Sequence, residues 1–268
     1  MIPVKKEKGG IPDMQIPTLS QKPLETLVGA YSAASVFRTI GFIGDSLSSG
    51  EIELVEADGT HSYHDLYEYA WGNFIARKNG QEARIFARGG MTAREYMQSF
   101  AEERGYWAAE LACQAYVIAL GVNDLTNQHQ TPGTLRDIDP SDWRKNAPSF
   151  LGFYAQIIAR YRQIQPEAKF FLVTMPRSDV ENHLRAAQEQ REVLYALAGY
   201  FENTYVVDLY QYAPVYDAEF RRQYYLNGHM TATGYVLTAQ IIDSYLGWLI
   251  RSDPDGFRRA ALIGTGIR

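Results

Sequence analysis

Short apolar runs alternate with longer amphipathic segments along this chain, and that alternation is the strongest constraint on its fold. The apolar runs are predicted strands, at residues 39–44, 83–87, 115–120, 169–174 and 204–208. Apolar residues recur at helical spacing in the segments between and after them, as in 149–165 and 231–250. Strands that alternate with helices form parallel sheets whose two faces the helices cover. The sequence therefore predicts an α/β protein with three layers, α/β/α, around a central five-stranded parallel sheet.

No linker interrupts this alternation, so we expect residues 1–268 to form a single domain. An N-terminal extension over about 1–36 and a C-terminal tail over about 252–268 lie outside the alternating part. Residues 52–60 alternate polar and apolar side chains and contain an Asp-Gly pair, Asp58-Gly59. Such a pair is typical of a tight turn between two strands. We therefore predict a small hairpin just after the turn that follows the first strand.

Charge and composition narrow the class of partner. The chain has 26 Lys+Arg against 31 Asp+Glu, a formal net charge of −5, which gives no attraction to a nucleic-acid backbone. No apolar stretch is long enough to span a bilayer, and residues 1–10 lack the apolar core of a signal peptide. The single cysteine, Cys113, excludes an internal disulfide and a multi-cysteine zinc site. We expect a cytoplasmic protein with no nucleic-acid partner, no membrane partner and no metal.

Polar residues and glycines follow the first three predicted strands, at the sheet edge where parallel folds bind ligands. Ser46 follows the first strand in a Gly-Asp-Ser-Leu run, Gly90 follows the second, and Asn123 follows the third. His229 precedes the last helix. Taken singly, each residue has an ordinary explanation as a helix cap, a tight turn, an Asx turn or a structural histidine. Together they supply the hydroxyl nucleophile, the oxyanion donors and the near-neutral base that ester hydrolysis requires.

These residues resemble the sequence blocks of the SGNH, or GDSL-type, hydrolase superfamily, and the resemblance spans most of the chain. It implies the flavodoxin-like fold of that family and the hydrolysis of carboxylic esters without a cofactor. It also implies that Ser46 is the nucleophile and His229 the general base. The oxyanion hole implied by the resemblance consists of Ser46, Gly90 and Asn123, with Gly89 as an alternative to Gly90.

One position departs from the family pattern. The family places an aspartate three residues before the histidine, and here that position is Leu226. If the loop is one residue shorter, Asn227 takes the acid's place, and its amide or a backbone carbonyl orients the ring of a Ser46–His229 dyad. Carboxylates elsewhere in the chain are alternatives: Glu51, Glu53, Asp208, Asp217 and Glu219. A dyad without an acid holds the imidazole less firmly, so we expect reduced activity on unactivated esters.

The expected substrate is a small-molecule ester with a small O-acyl group, including acetylated carbohydrates. We favour it because the sequence shows no long apolar lid or exposed apolar helix for a lipid interface. An acyltransferase, a lysophospholipase or a thioesterase would use the same residues. The alternative from another functional class is a carbohydrate-binding protein that descends from such an esterase and has impaired catalysis. The sequence leaves the oligomeric state open.

Overall fold

The computed structural model describes residues 31–267, and one parallel sheet lies at its centre. The strands are, in chain order, β1 (Thr39–Gly44), β2 (Glu51–Val55), β3 (His61–Asp65), β4 (Glu82–Ala87), β5 (Ala115–Ala119), β6 (Lys169–Val173), β7 (Thr204–Val207), β8 (Tyr225–Leu226) and β9 (His229–Met230). Five of them form the central sheet in the order β4-β1-β5-β6-β7, with every pair parallel. The predicted five-stranded parallel sheet is confirmed. Most of the expected N-terminal extension lies outside the described residues.

Helices cover both faces of this sheet. They are α1 (Ser46–Ser49), α2 (Trp71–Asn79), α3 (Ala93–Glu95), α4 (Ala101–Glu103), α5 (Phe150–Ile164), α6 (Glu181–Tyr200), α7 (Leu209–Tyr212), α8 (Ala218–Tyr224), α9 (Ala232–Ser252) and α10 (Pro254–Phe257). Helix α2 ends at Gly80, whose left-handed φ of 66° suits glycine. No helix within residues 31–267 is long and apolar enough to cross a bilayer.

Alternate side chains of the central strands enter two apolar cores, one on each side of the sheet. On β6, Phe170 and Leu172 belong to the core that includes residues of α5 and α6. Phe171 and Val173 belong to the core that includes residues of α2 and α9. Because successive strand residues point to opposite faces, a strand covered on both sides is a continuous apolar run. Burying each such side chain contributes about 1.5–3 kcal/mol, so these strands anchor both helical layers.

The strand order reverses at β1, which lies between β4 and β5. In open parallel sheets, ligands bind at such a switch point, in the crevice beyond the carboxyl ends of the strands. The loops that follow β1, β4 and β5 therefore open at the same edge. These loops contain the serine, glycine and asparagine blocks described above.

Two small antiparallel hairpins lie outside the central sheet. Strands β2 and β3 pair from Glu51 opposite Asp65 to Val55 opposite His61, which confirms the hairpin predicted after the first strand. Strands β8 and β9 are joined by two residues, Asn227 and Gly228. Asn227 has a left-handed φ of 57°, a conformation that an Asn-Gly turn accommodates. The second hairpin thus places a histidine at the start of β9.

Candidate active site

The predicted nucleophile is the first residue of α1, directly after the central strand β1. Asp45 caps this helix, because its carboxylate accepts a hydrogen bond from Leu47 N at 3.1 Å. A Cβ atom at Gly44 would lie 2.0 Å from Ser48 Oγ, so the turn is tight enough to require glycine there. Ser46 is half-buried at the carboxyl edge of the sheet.

A single cavity of about 910 Å³ brings the predicted site residues together. Ser46, Gly90, Asn123 and His229 all line it. Its volume falls within the range of small-molecule sites, about 300–1,000 Å³. The four residues come from loops separated by up to 183 positions in sequence but share one concave surface.

The two glycines after β4 lie in different surroundings. Gly90 has a left-handed φ of 70°, and the space beside its Cα is open. A Cβ atom at Gly89 would lie 2.0 Å from Glu51 Oε2, because the Glu51 carboxylate covers that residue. Of the two, Gly90 is the one with open space beside it.

The side-chain amide of Asn123 is directed toward the loop after β4. Its Nδ2 donates to Met91 O at 3.2 Å, and its Oδ1 accepts from Asn127 Nδ2 at 2.7 Å. These two contacts fix which end of the amide carries the N–H groups. The donor end therefore lies beside the loop that contains Gly90.

Two buried aspartates are neighbours of the predicted site residues in sequence: Asp45 precedes Ser46, and Asp124 follows Asn123. Asp124 Oδ1 accepts from Ala93 N at 2.9 Å, which links the loop after β5 to the start of α3. Burial raises the pKa of Asp124 to about 7. Burial also raises the pKa of Asp45 to about 7, although the Leu47 N–H lowers it in part. Both carboxyls are thus protonated over a wider pH range than exposed aspartates.

Both ring nitrogens of His229 face a carboxylate. Nδ1 lies 3.1 Å from Glu53 Oε2, and Nε2 lies 2.9 Å from Glu51 Oε1. The ring of Tyr63 packs edge-on against the imidazole, with centroids 5.7 Å apart. Burial alone would lower the pKa of His229, but the hydrogen bonds to Glu51 and Glu53 outweigh burial and raise it above 6.5. The surroundings therefore favour the imidazolium.

Glu53 is itself held by several donors. Its Oε1 lies 2.5 Å from His61 Nδ1, and its Oε2 accepts from Gly228 N at 2.6 Å. Burial would raise the pKa of Glu53, but the hydrogen bonds from His61, His229 and Gly228 lower it below 4.5. The carboxylate is therefore kept in its charged form.

Asn227, the residue expected to orient His229, makes a different contact. Its side-chain Nδ2 donates to the backbone oxygen of Glu53 at 2.9 Å. Leu226, at the family's acid position, pairs with His229 across the short hairpin and is 44% exposed. Asn227 therefore anchors β2 to the second hairpin, and the carboxylates beside the ring come from β2.

The other candidate acids have partners elsewhere. Asp208 caps α7 and forms an ion pair with Arg191 at 2.8 Å. Asp217 caps α8, and Glu219 forms an ion pair with Arg222 at 2.6 Å. The two glutamates of β2 are among the five carboxylates that the sequence offers as alternatives to Asn227, and no single one of the five is selected by the sequence. The available signal was their spacing, since residues two apart on a strand share a face.

Comparison with known proteins places this chain in a family. Residues 42–237 match the GDSL-like Lipase/Acylhydrolase family model. No curated protein sequence matches the chain. Several solved structures share the fold at sequence identities below 25%.

One such structure is a family two carbohydrate esterase from Clostridium thermocellum in complex with cellohexaose. It has a TM-score of 0.55 and 17% identity, over 82% of this chain and 65% of that chain. The present chain thus spans less than two thirds of that esterase. A carbohydrate acetylesterase from Sinorhizobium meliloti has a TM-score of 0.54 and 16% identity, over 79% of this chain and 99% of that chain. A protein from Lactobacillus plantarum has a TM-score of 0.56 and 12% identity, over 81% of this chain and 97% of that chain.

The structural likenesses establish the fold, and the family match covers most of the chain. The protein belongs to the GDSL-like lipase/acylhydrolase family and is a carboxylic ester hydrolase.

Proposed function

We propose that the protein is a serine esterase that hydrolyses small O-acyl esters through an acyl-enzyme on Ser46. The observation that carries this proposal is the cavity shared by Ser46, Gly90, Asn123 and His229. It puts a hydroxyl, donors for an oxyanion and an imidazole within one substrate-sized space. Those groups are the ones that acyl transfer to serine requires.

In the first half-reaction, Ser46 Oγ attacks the carbonyl carbon of the ester while His229 Nε2 takes the hydroxyl proton. The backbone N–H groups of Ser46 and Gly90 and the side-chain amide of Asn123 stabilise the oxyanion. The bond to the alcohol oxygen then breaks, and the alcohol leaves with the proton held by His229. Open space beside Gly90 supports its assignment over Gly89.

In the second half-reaction, water attacks the acyl carbon and gives a proton to His229. The bond to Ser46 breaks, Ser46 Oγ takes that proton, and the carboxylic acid leaves. The cycle balances in atoms and charge with no cofactor.

One contact in the structure must change before His229 can act as the base. His229 Nε2 lies 2.9 Å from Glu51 Oε1, whereas proton transfer requires Nε2 to be unprotonated and turned to Ser46 Oγ. Catalysis therefore requires His229 to lose one proton and Glu51 to release the ring. Since the pKa of His229 is raised, we expect kcat/KM to increase with pH through a range above that of a free histidine.

Acetylated carbohydrates are the substrate class that we favour among small O-acyl esters. The cavity is larger than an acetyl group needs, so it also has space for a polar alcohol portion. Carbohydrate esterases are among the structures that share the fold. An acyltransferase would use the same acyl-enzyme and differ in the acceptor that replaces water.

The test is hydrolysis of p-nitrophenyl acetate, butyrate and octanoate by the purified protein and by Ser46→Ala. We expect the substitution to lower kcat by about 10⁴-fold or more, as removal of a triad nucleophile does. A fluorophosphonate probe should label the wild-type protein at Ser46.

Ser48→Ala is the matched control, because Ser48 Oγ is buried and has no hydrogen-bond partner among residues 31–267. It should retain both turnover and labelling. Equal turnover in the wild-type protein and Ser46→Ala, together with no adduct, would instead support the carbohydrate-binding alternative.

A further inference from the structure

The hairpin β2–β3 brings a carboxylate to the histidine from an unexpected place in the chain. Glu53 Oε2 lies 3.1 Å from His229 Nδ1, across 176 positions of sequence. This nitrogen is on the opposite side of the ring from Nε2, the atom that exchanges protons with the nucleophile. Glu53 therefore makes the contact to Nδ1 that the acid of a catalytic triad makes.

The carboxylate of Glu53 is held in one orientation. Its side chain is 8% exposed. Oε1 contacts His61 Nδ1 at 2.5 Å, and Oε2 contacts Gly228 N at 2.6 Å. A buried carboxylate with several N–H donors keeps its charge and its direction. Its contact with His229 is thus fixed from several sides.

The turn before the histidine is shaped around this carboxylate. A Cβ atom at Gly228 would lie 2.4 Å from Glu53 Oε2, so glycine leaves the space that the carboxylate fills. Asn227 Nδ2 also donates to the backbone oxygen of Glu53 at 2.9 Å. Side chain and backbone of one glutamate therefore join the two hairpins.

We propose that Glu53 is the positioning residue of His229 and replaces the aspartate that the family places at the position of Leu226. Its carboxylate accepts the Nδ1–H, fixes the ring so that Nε2 can serve Ser46 once Glu51 releases it, and stabilises the imidazolium formed during each proton transfer. His61 holds Glu53 in turn. The inference rests on the proposed function, in which His229 is the base.

Charged and polar groups surround the ring on several sides. Besides Glu53, Glu51 from β2 contacts Nε2, Tyr63 from β3 packs against the ring, and Asp45 before α1 interacts with it electrostatically. A carboxylate beside the imidazole favours its protonated form. Loss of the Glu53 charge should therefore change the pH at which His229 becomes a base.

The decisive variant is Glu53→Gln, which keeps the size of the side chain and removes the charge. We expect kcat to fall about a hundredfold or more, toward the roughly 10⁴-fold loss found when an amide replaces a triad acid. The acid limb of the kcat/KM profile should move to lower pH. Glu53→Asp should recover part of the lost kcat.

Glu56→Gln is the matched control. Glu56 lies on the same hairpin, and its carboxylate contacts Ser62 Oγ at 2.5 Å. This variant removes the same charge from the same element, so its kcat and its pH profile should match the wild type. Thermal unfolding of all variants tests whether the fold is intact.

His61→Ala gives a second test if Glu53→Gln does not fold. The His61 side chain is half-exposed and contacts Glu53, so its removal leaves the apolar cores intact. We expect a lower kcat with KM unchanged.

A folded Glu53→Gln with wild-type kcat and an unmoved acid limb would overturn the proposal, and wild-type kcat in His61→Ala would overturn the part assigned to His61. The Ser46→Ala result distinguishes failure of the proposed function from failure of the inference about Glu53. An active Ser46→Ala removes the proposed function, whereas an inactive Ser46→Ala beside a fully active Glu53→Gln removes only the present inference.

Discussion

The two halves of the candidate active site are built in different ways. The strand-end half, defined as Ser46, Gly90 and Asn123, consists of residues that follow three adjacent strands of one sheet. The hairpin half, defined as Glu53 and His229, depends on side-chain contacts between two hairpins outside that sheet. Backbone ladders position the first half, and a buried carboxylate positions the second. We therefore expect the strand-end half to fix the positions of the nucleophile and the oxyanion donors. We expect the hairpin half to set the orientation and the protonation of His229.

Between the two halves, the larger effect is expected from removal of the Asn123 amide, which belongs to the strand-end half. Asn123→Ala should lower kcat by about 10²–10³-fold, the loss typical of one oxyanion donor. Steady-state kinetics with p-nitrophenyl acetate measures it.

Asn127→Ala is the control for a loss of order in this loop. Asn127 Nδ2 donates to Asn123 Oδ1, whereas the bond to Met91 O comes from Asn123 itself. It should lower kcat less than Asn123→Ala. Equal losses in the two variants would assign the effect to loop order and would contradict a direct role for Asn123.

A smaller effect is expected from Glu51→Gln, which removes a carboxylate next to the hairpin half. Glu51 Oε1 contacts His229 Nε2 at 2.9 Å, and this hydrogen bond raises the pKa of His229. Its loss should shift the acid limb of kcat/KM to lower pH, because His229 then becomes a neutral base at lower pH. The pH-independent kcat should fall less than in Glu53→Gln. An acid limb at the wild-type position would contradict the role assigned to Glu51.

The smallest effect on activity is expected from Asp124→Asn, which replaces the buried residue that follows Asn123. Burial raises the pKa of Asp124 from 3.8 to about 7. The unfolded chain releases this proton near pH 4, whereas the folded protein keeps it until about pH 7. Stability from this carboxyl is therefore lost as pH rises between those values. Asp124→Asn keeps an oxygen for Ala93 N and should unfold at a higher temperature than the wild type at pH 8, with a smaller difference at pH 5.

Thermal unfolding at both pH values checks this expectation. A change in unfolding temperature that is the same at pH 5 and pH 8 would show that ionisation of Asp124 does not carry the effect.

The sheet and the strand-end half were predictable because their signals are local. A strand covered on both faces is a continuous apolar run, as in Phe170-Phe171-Leu172. Parallel order then brings the ends of neighbouring strands together whatever lies between them in sequence. A helix boundary was less predictable. The apolar spacing of residues 65–78 predicts a helix that begins at Asp65. In the structure α2 begins at Trp71, because Asp65 pairs with Glu51 at the end of the first hairpin.

The partner of His229 could not be chosen from sequence. Glu53 is one of several carboxylates, and its contact depends on how two hairpins pack across 176 positions. The alternating pattern of residues 52–60 indicates which side chains share a face of β2. The pattern does not indicate which other element of the protein contacts that face of β2. Only the packed structure distinguishes Glu53 from Asp208, whose carboxylate is held by Arg191.

The exposed tip of the first hairpin also has a consequence for the chemistry. Its turn is fixed by Glu56 N donating to Thr60 O at 2.8 Å and by Gly59 with a φ of 83°. A slip of one residue in strand pairing moves every side chain to the opposite face. Such a slip would turn Ile52 and Leu54, in place of the two glutamates, toward the imidazole. The pairing set by a surface turn that does not line the cavity thus determines whether a carboxylate or an apolar side chain faces the imidazole.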